Sequence, residues 1–142
     1  MEISFTRFRV YLECPWKYKL MFVDGQKQPI SAPGSLGLSL HRAIERYLLD
    51  GPGELEELLD AYTRAFVQEG FADVDERMRW LAKGRRMLER WHREELSRRT
   101  QLVGVEREFV VPVGAHSARG MVDRIDRHPD GRIELIDYKT RP

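Results

Sequence analysis

The chain has 142 residues, with 24 Lys+Arg against 23 Asp+Glu, a formal net charge of +1, 42% hydrophobic and 33% charged residues, and one cysteine. These values fit one globular domain with a single core and exclude a disordered chain or an internal disulfide framework. The near-zero net charge carries no global sign of a polyanionic partner. No apolar run approaches the ~18 residues of a membrane span and the N-terminus lacks a signal-peptide order, so the expected setting is cytoplasmic.

Residues 3–23 form the first predicted helical segment. Ser4 and Thr6 can both cap it, because a hydroxyl accepts from backbone N–H groups one turn on. Phe5, Phe8, Leu12, Trp16 and Leu20 recur at helical spacing. Pro15 must break this helix or open a second one as its first residue. Residues 24–34 hold Gly25, Pro29, Pro33 and Gly34 and read as a loop. Helices are predicted over 36–49, 54–68 and 74–99, with Asp50-Gly51-Pro52-Gly53 ending the first and Gly84 weakening the last. From Leu102 the period changes. Val103, Val105, Phe109, Val110, Val111 and Val113 mark a strand, 119–127 a second and 132–140 a third, with His128-Pro129-Asp130-Gly131 as a tight turn. Helices followed by an antiparallel meander define an α+β fold in one domain, helical over about 1–100 and β over about 102–140.

Chemistry concentrates in the last two strands. A turn whose loop residues are 129–131 sets His128 opposite Arg132, and then Asp123 directly opposite Asp137 and Met121 opposite Lys139. Directly opposed Cβ atoms lie about 4.5–5.5 Å apart. Two carboxylates that close repel unless a cation sits between them, and a hard divalent ion such as Mg²⁺ takes carboxylate oxygens readily. Lys139 shares the face of Asp137, where it can orient water or stabilise charge on a phosphate. The plain alternative is an exposed Asp-x-Lys ion pair, worth ~0–1 kcal/mol. His41, Ile44, Glu45 and Leu48 follow a core-facing stripe, so His41 is either a core-edge histidine satisfied by a carbonyl or a ligand reaching that site.

Five segments, in order, resemble the RecB-type nuclease domain of the PD-(D/E)XK superfamily, whose relatives include the AddB nuclease domain and CRISPR-adaptation nucleases. They are Ser4-x-Thr6-x-Phe8-x-x-Tyr11-x-x-Cys14-Pro15, Leu36-Gly37-x-x-Leu40-His41, Gly84-x-x-Met87-Leu88, Arg119-Gly120-Met121-Val122-Asp123-Arg124-Ile125-Asp126 and Ile136-Asp137-Tyr138-Lys139-Thr140. The resemblance implies a restriction-endonuclease-like core, with His41, Asp123, Asp137 and the carbonyl of Tyr138 as ligands of Mg²⁺ or Mn²⁺. It implies Asp123, Asp137 and Lys139 as the catalytic set for hydrolysing DNA phosphodiesters. An exonuclease of repair or recombination, working with a helicase or another recombination subunit, is the implied role. The alternative class is a non-catalytic DNA-binding or scaffold domain that keeps the fold.

Relatives continue past the lysine strand with a helix and another strand, whereas this chain stops at Pro142. The expectation is therefore a domain truncated after its third core strand, with one sheet face partly bare and self-association through the incomplete sheet. Some relatives bind a [4Fe–4S] cluster, for which Cys14 occupies the first ligand position. That requires further ligands in a longer chain, and otherwise Cys14 is a small buried hydrophobe. Residues 77–99 carry nine basic against three acidic side chains, either a phosphate-tracking face or a solvated one. Arg124 and Asp126, on the face opposite Asp123, are expected to be structural. Glu106 and Glu108 are left outside the ligand set, although relatives often carry a glutamate in this strand. Trp16, Trp80 and Trp91 are expected in the core.

Overall fold

Ser4 ends a strand and starts a helix. In the computed structural model, which describes residues 2–139, β1 is Glu2–Ser4 and α1 is Phe5–Glu13. The Ser4 hydroxyl accepts from the Arg7 N–H at 3.2 Å. Pro15 disfavours helical backbone at the residue before it, so Cys14 is extended and closes α1. Pro15 then opens α2 (Pro15–Tyr18), so the break and the new start expected there coincide, and a π-helical turn follows at Lys19–Val23. The expected apolar stripe is not buried. Val10 is enclosed, while Phe5, Phe8, Leu12 and Trp16 face solvent, which takes Trp16 out of the core.

α3 (Ala32–Asp50) begins earlier than the sequence reading, because Ser31 caps it and Pro33 falls in the first turn, where its missing N–H is harmless. α4 (Leu55–Ala65) opens with a reciprocal Glu54–Glu57 capping box, and α5 (Val74–Ser97) with Asp73 accepting from the Glu76 N–H. Their apolar stripes meet around Leu36, Leu58, Tyr62 and Leu88.

Gly84 sits where α5 crosses α3 and α4. A Cβ there would lie 2.0 Å from the Tyr62 hydroxyl and 2.9 Å from a Leu36 methyl. Helix propensity alone favours alanine by ~1 kcal/mol. The clash outweighs it, so Gly84→Ala should destabilise by about 1–3 kcal/mol in urea unfolding. A stabilised variant would contradict this packing.

The sheet is built on β3 (His116–Arg127), which pairs antiparallel with β2 (Gln101–Val113) along its length. β4 (Ile133–Ile136) pairs antiparallel on the other edge, from Arg127↔Ile133 to Arg124↔Ile136, in the register the turn predicted. β1 lies on that same edge, parallel to β3, from Glu2↔Ser117 to Ser4↔Arg119. The sheet is therefore mixed and four-stranded, since a meander of three strands gains β1. Three residues carry no period, so β1 left no signal. Among the described residues, no strand pairs with the edge of β3 at residues 120–123, between the partners of β1 and β4. β4 ends at Ile136 rather than 140, and Thr140 lies outside the described residues.

The sheet meets α5 through buried charge. Arg124, 2% exposed, donates to both oxygens of Glu95 at 2.6 and 2.9 Å and to Asp126 at 2.6 Å. Asp126, fully buried, also accepts from Thr100 and Arg98. These two residues are structural, as expected. Met121, Ile133 and Leu135 on the opposite face are exposed.

Candidate metal centre

His41 is carried to the sheet by the core-facing stripe of α3, where Leu40, Ala43, Ile44 and Leu48 are buried. Its Nε2 lies 3.0 Å from the Tyr138 carbonyl. A carbonyl only accepts, so Nε2 carries the hydrogen, and in the neutral ring Nδ1 presents a lone pair. Nδ1 lies 3.6 Å from Asp123 Oδ2 and 3.9 Å from Glu106 Oε1.

Asp123 stands on β3 between the stretches that pair with β1 and β4. Its Oδ2 accepts the Tyr138 backbone N–H at 2.6 Å. Glu106 comes from β2, where the flanking pairs Val105↔Arg124 and Arg107↔Val122 set it across from Asp123. Among the described residues it is the one non-glycine with positive φ, +48°. Such a conformation costs about 1–3 kcal/mol and persists where surrounding structure enforces it. One ligand atom from each of His41, Glu106 and Asp123 lies within 4.8 Å of the others.

All three side chains are partly buried, with 29%, 27% and 12% exposure for His41, Glu106 and Asp123. Burial raises the Glu106 pKa above its ordinary value, the negative charges of Asp123 and Glu45 raise it further, and His41 offsets part of this. One imidazole nitrogen and two close carboxylates suit a divalent cation such as Mg²⁺ or Mn²⁺, so the donor set fits.

Because the folded Glu106 pKa is raised, its ionised form opposes folding. That penalty is full above the folded value and is relieved as pH falls through it toward the ordinary 4.5. In chelator, Glu106→Gln should therefore match or exceed the parent's melting temperature at pH 7. The difference should fade as pH falls toward 4.5. A variant less stable than the parent at pH 7 would contradict the crowding of these carboxylates.

The sequence-predicted residues divide. His41 and Asp123 meet. Asp137 follows the last residue of β4 and does not join the cluster, a correction to the expected convergence. Asp123 captures the Tyr138 amide, the ladder ends at Ile136, and the Asp137 carboxylate pairs with Lys139 Nζ at 2.6 Å, both side chains exposed. The Tyr138 carbonyl, expected as a ligand, accepts the hydrogen bond of His41 Nε2. Glu106, left outside the expected set, belongs to the cluster. Asp137 and Lys139 line a 660 Å³ groove bounded by Ser4, Phe5, Phe109 and Met121. On α5, Arg79, Lys83, Arg86, Arg90 and Arg93 are exposed. Cys14 caps α2, its Sγ accepting from the Lys17 N–H at 3.4 Å. One cysteine does not make up the four ligands of a [4Fe–4S] cluster.

The helix-backed mixed sheet thus carries a cluster of two carboxylates and one imidazole. The family model of the PD-(D/E)XK nuclease superfamily matches residues 2–142, and the chain belongs to this superfamily. No curated protein matches the chain. Among the described residues no helix is long and apolar enough to cross a membrane.

Proposed function

We propose that this domain is a metal-dependent deoxyribonuclease of the RecB type, acting as an exonuclease in DNA repair or recombination. The observation that carries the reading is the convergence of His41, Glu106 and Asp123 on one spot. These three side chains would hold Mg²⁺ or Mn²⁺. Asp137 is a further acid available to the ion, since the exposed pair that engages it is worth only ~0–1 kcal/mol. A divalent cation held there supplies Lewis acidity toward the phosphodiester and a lowered pKa for water.

The chain's own residues do the rest. The Tyr138 carbonyl fixes the His41 tautomer and its amide orients Asp123, so one residue sets two ligands. The Lys139 ammonium orients the attacking water and offsets charge growing on the phosphate. Exposed arginines of α5 follow the strand by phosphate contacts. A helicase subunit as partner and a cytoplasmic setting belong to the same proposal. So does self-association through the face of Met121, Ile133 and Leu135, which a single monomeric species across a sedimentation concentration series would remove.

The rival reading, a DNA-binding scaffold, draws on the Asp137–Lys139 ion pair standing apart from the cluster. Hydrolysis of labelled single- and double-stranded DNA in Mg²⁺ or Mn²⁺ separates the two. The nuclease reading expects cleavage that stops in chelator and falls at least about a hundredfold in Lys139→Met. DNA binding without cleavage in either metal would favour the scaffold.

A further inference from the structure

Tyr138 lies beyond the last pair of the β4 ladder, Arg124↔Ile136. Its own backbone bonds run to the two side chains it orients, His41 at 3.0 Å and Asp123 at 2.6 Å. Its place must therefore come from its side chain, which packs against the core. The Tyr138 ring meets the His41 ring edge-on, centroids 6.2 Å apart at 80°. It meets the Trp91 ring of α5 at the same separation and angle. Trp91 is in turn seated edge-on against Tyr47 of α3, 5.9 Å away at 80°, and Tyr47 is buried. A 120 Å³ cavity, whose walls include Trp91, Tyr138 and the buried Leu40 and Ile44, leaves open space beside the two rings.

We propose that Trp91 is a positioning residue of the metal centre, acting through Tyr138. The inference rests on the metal-dependent nuclease reading and adds to it a residue outside the ligand cluster. Aromatic pairs hold a preferred edge-to-face geometry, so the indole fixes where the Tyr138 ring lies. It also keeps that ring from turning into the cavity beside it. The Arg124 guanidinium, 3.5 Å from the Tyr138 hydroxyl, is a second and longer tether. Cutting Trp91 back to an aliphatic side chain enlarges the cavity, and a side chain that loses its packing neighbour shifts toward the void. As Tyr138 shifts, its carbonyl leaves His41 Nε2 and its amide leaves Asp123 Oδ2. His41 then loses the acceptor that fixes its tautomer. Nδ1 carries the hydrogen for part of the time and no longer offers its lone pair to a cation.

The test compares the parent with Trp91→Leu, Trp91→Phe and Leu59→Ala, the last a buried substitution in α4 that lowers stability without touching this pair. Two readings are taken on folded protein. One is Mn²⁺ affinity by electron paramagnetic resonance. The other, in chelator, is the tautomer of the neutral His41 ring by long-range proton–nitrogen NMR. Trp91→Leu should bind Mn²⁺ about tenfold more weakly, the scale of losing a group that orients a ligand, and its His41 should populate both tautomers. Trp91→Phe, which keeps an aromatic edge, should restore most of both. Leu59→Ala should match the parent in both although it melts lower. Either a parent-like affinity or a single Nε2–H tautomer in folded Trp91→Leu would overturn the positioning role and leave the nuclease reading standing. Equal losses in Leu59→Ala would overturn it too, as effects of stability alone. If the parent binds no Mn²⁺, the nuclease reading falls and the tautomer comparison decides the positioning role. Should Trp91→Leu fail to fold, Tyr138→Leu, which removes the other ring and keeps the backbone groups, is read in the same way with the same expectation.

Discussion

Asp123→Asn is expected to end hydrolysis while leaving the domain folded. The substitution keeps the shape of the side chain and an oxygen able to accept the Tyr138 amide, which Asp123 now holds at 2.6 Å. What it removes is the charge facing His41 Nδ1 at 3.6 Å and Glu106 across the strand pair. Groups that merely support a metal ligand are worth about 10–100-fold in activity, so losing a ligand should cost at least about a hundredfold. Without metal, the variant should melt no lower than the parent, because one of two crowded carboxylates is gone. Mg²⁺ at a hundred times its dissociation constant should stabilise the parent by about 2.7 kcal/mol and the variant by far less. Equal metal-induced shifts in the two proteins would remove the ion from this site.

The largest stability loss is expected at Arg124. Its guanidinium is the shared partner of Glu95 and Asp126, and Asp126 has no exposure of its own. Arg124→Met leaves Glu95 without the guanidinium that grips both its oxygens and Asp126 with Arg98 as its remaining cation, and breaking such a buried network costs about 3–5 kcal/mol. The same variant should become acid-sensitive. Burial by itself raises the Asp126 pKa, but hydrogen bonds from Arg124 and Thr100, with the charges of Arg124 and Arg98, hold it below the ordinary 3.8. Its stabilising contribution is therefore present above that value and is lost as pH falls through the lower, folded one. With Arg124 gone, less opposes the effect of burial, and the acid transition should move to higher pH. Urea unfolding at pH 7 and an acid titration by circular dichroism read both effects. A loss under about 1 kcal/mol would mean the network is solvated. Arg124 also reaches the Tyr138 hydroxyl at 3.5 Å, so the loss should loosen the segment that holds His41 and Asp123.

The sequence made the helices and the final hairpin legible because their signals are local. Periodic leucines mark α3 to α5, and the turn ending at Gly131 set the register that β3 and β4 adopt. What it hid depended on distant contacts. β1 is three residues long and gains its place only by pairing with residues more than a hundred positions away. The exposure of Phe8 and Trp16 is invisible to periodicity, which marks an apolar face but not whether anything covers it. The site was half legible. His41 and Asp123 follow from stripe and register. The end of β4 does not, because it comes from a side chain, Asp123, capturing the Tyr138 amide that would have continued the strand. Glu106 did have a signal. Taking Gly114 and Ala115 as a two-residue turn pairs Val113 with His116, as observed, and carries Glu106 opposite Asp123.

The most direct test of the metal centre is a Mn²⁺ titration followed by electron paramagnetic resonance on the parent, Asp123→Asn and Glu106→Gln. The geometry predicts one bound ion in the parent and binding at least about tenfold weaker in each variant. Mn²⁺ binding that is identical in all three proteins would contradict a centre built on His41, Glu106 and Asp123.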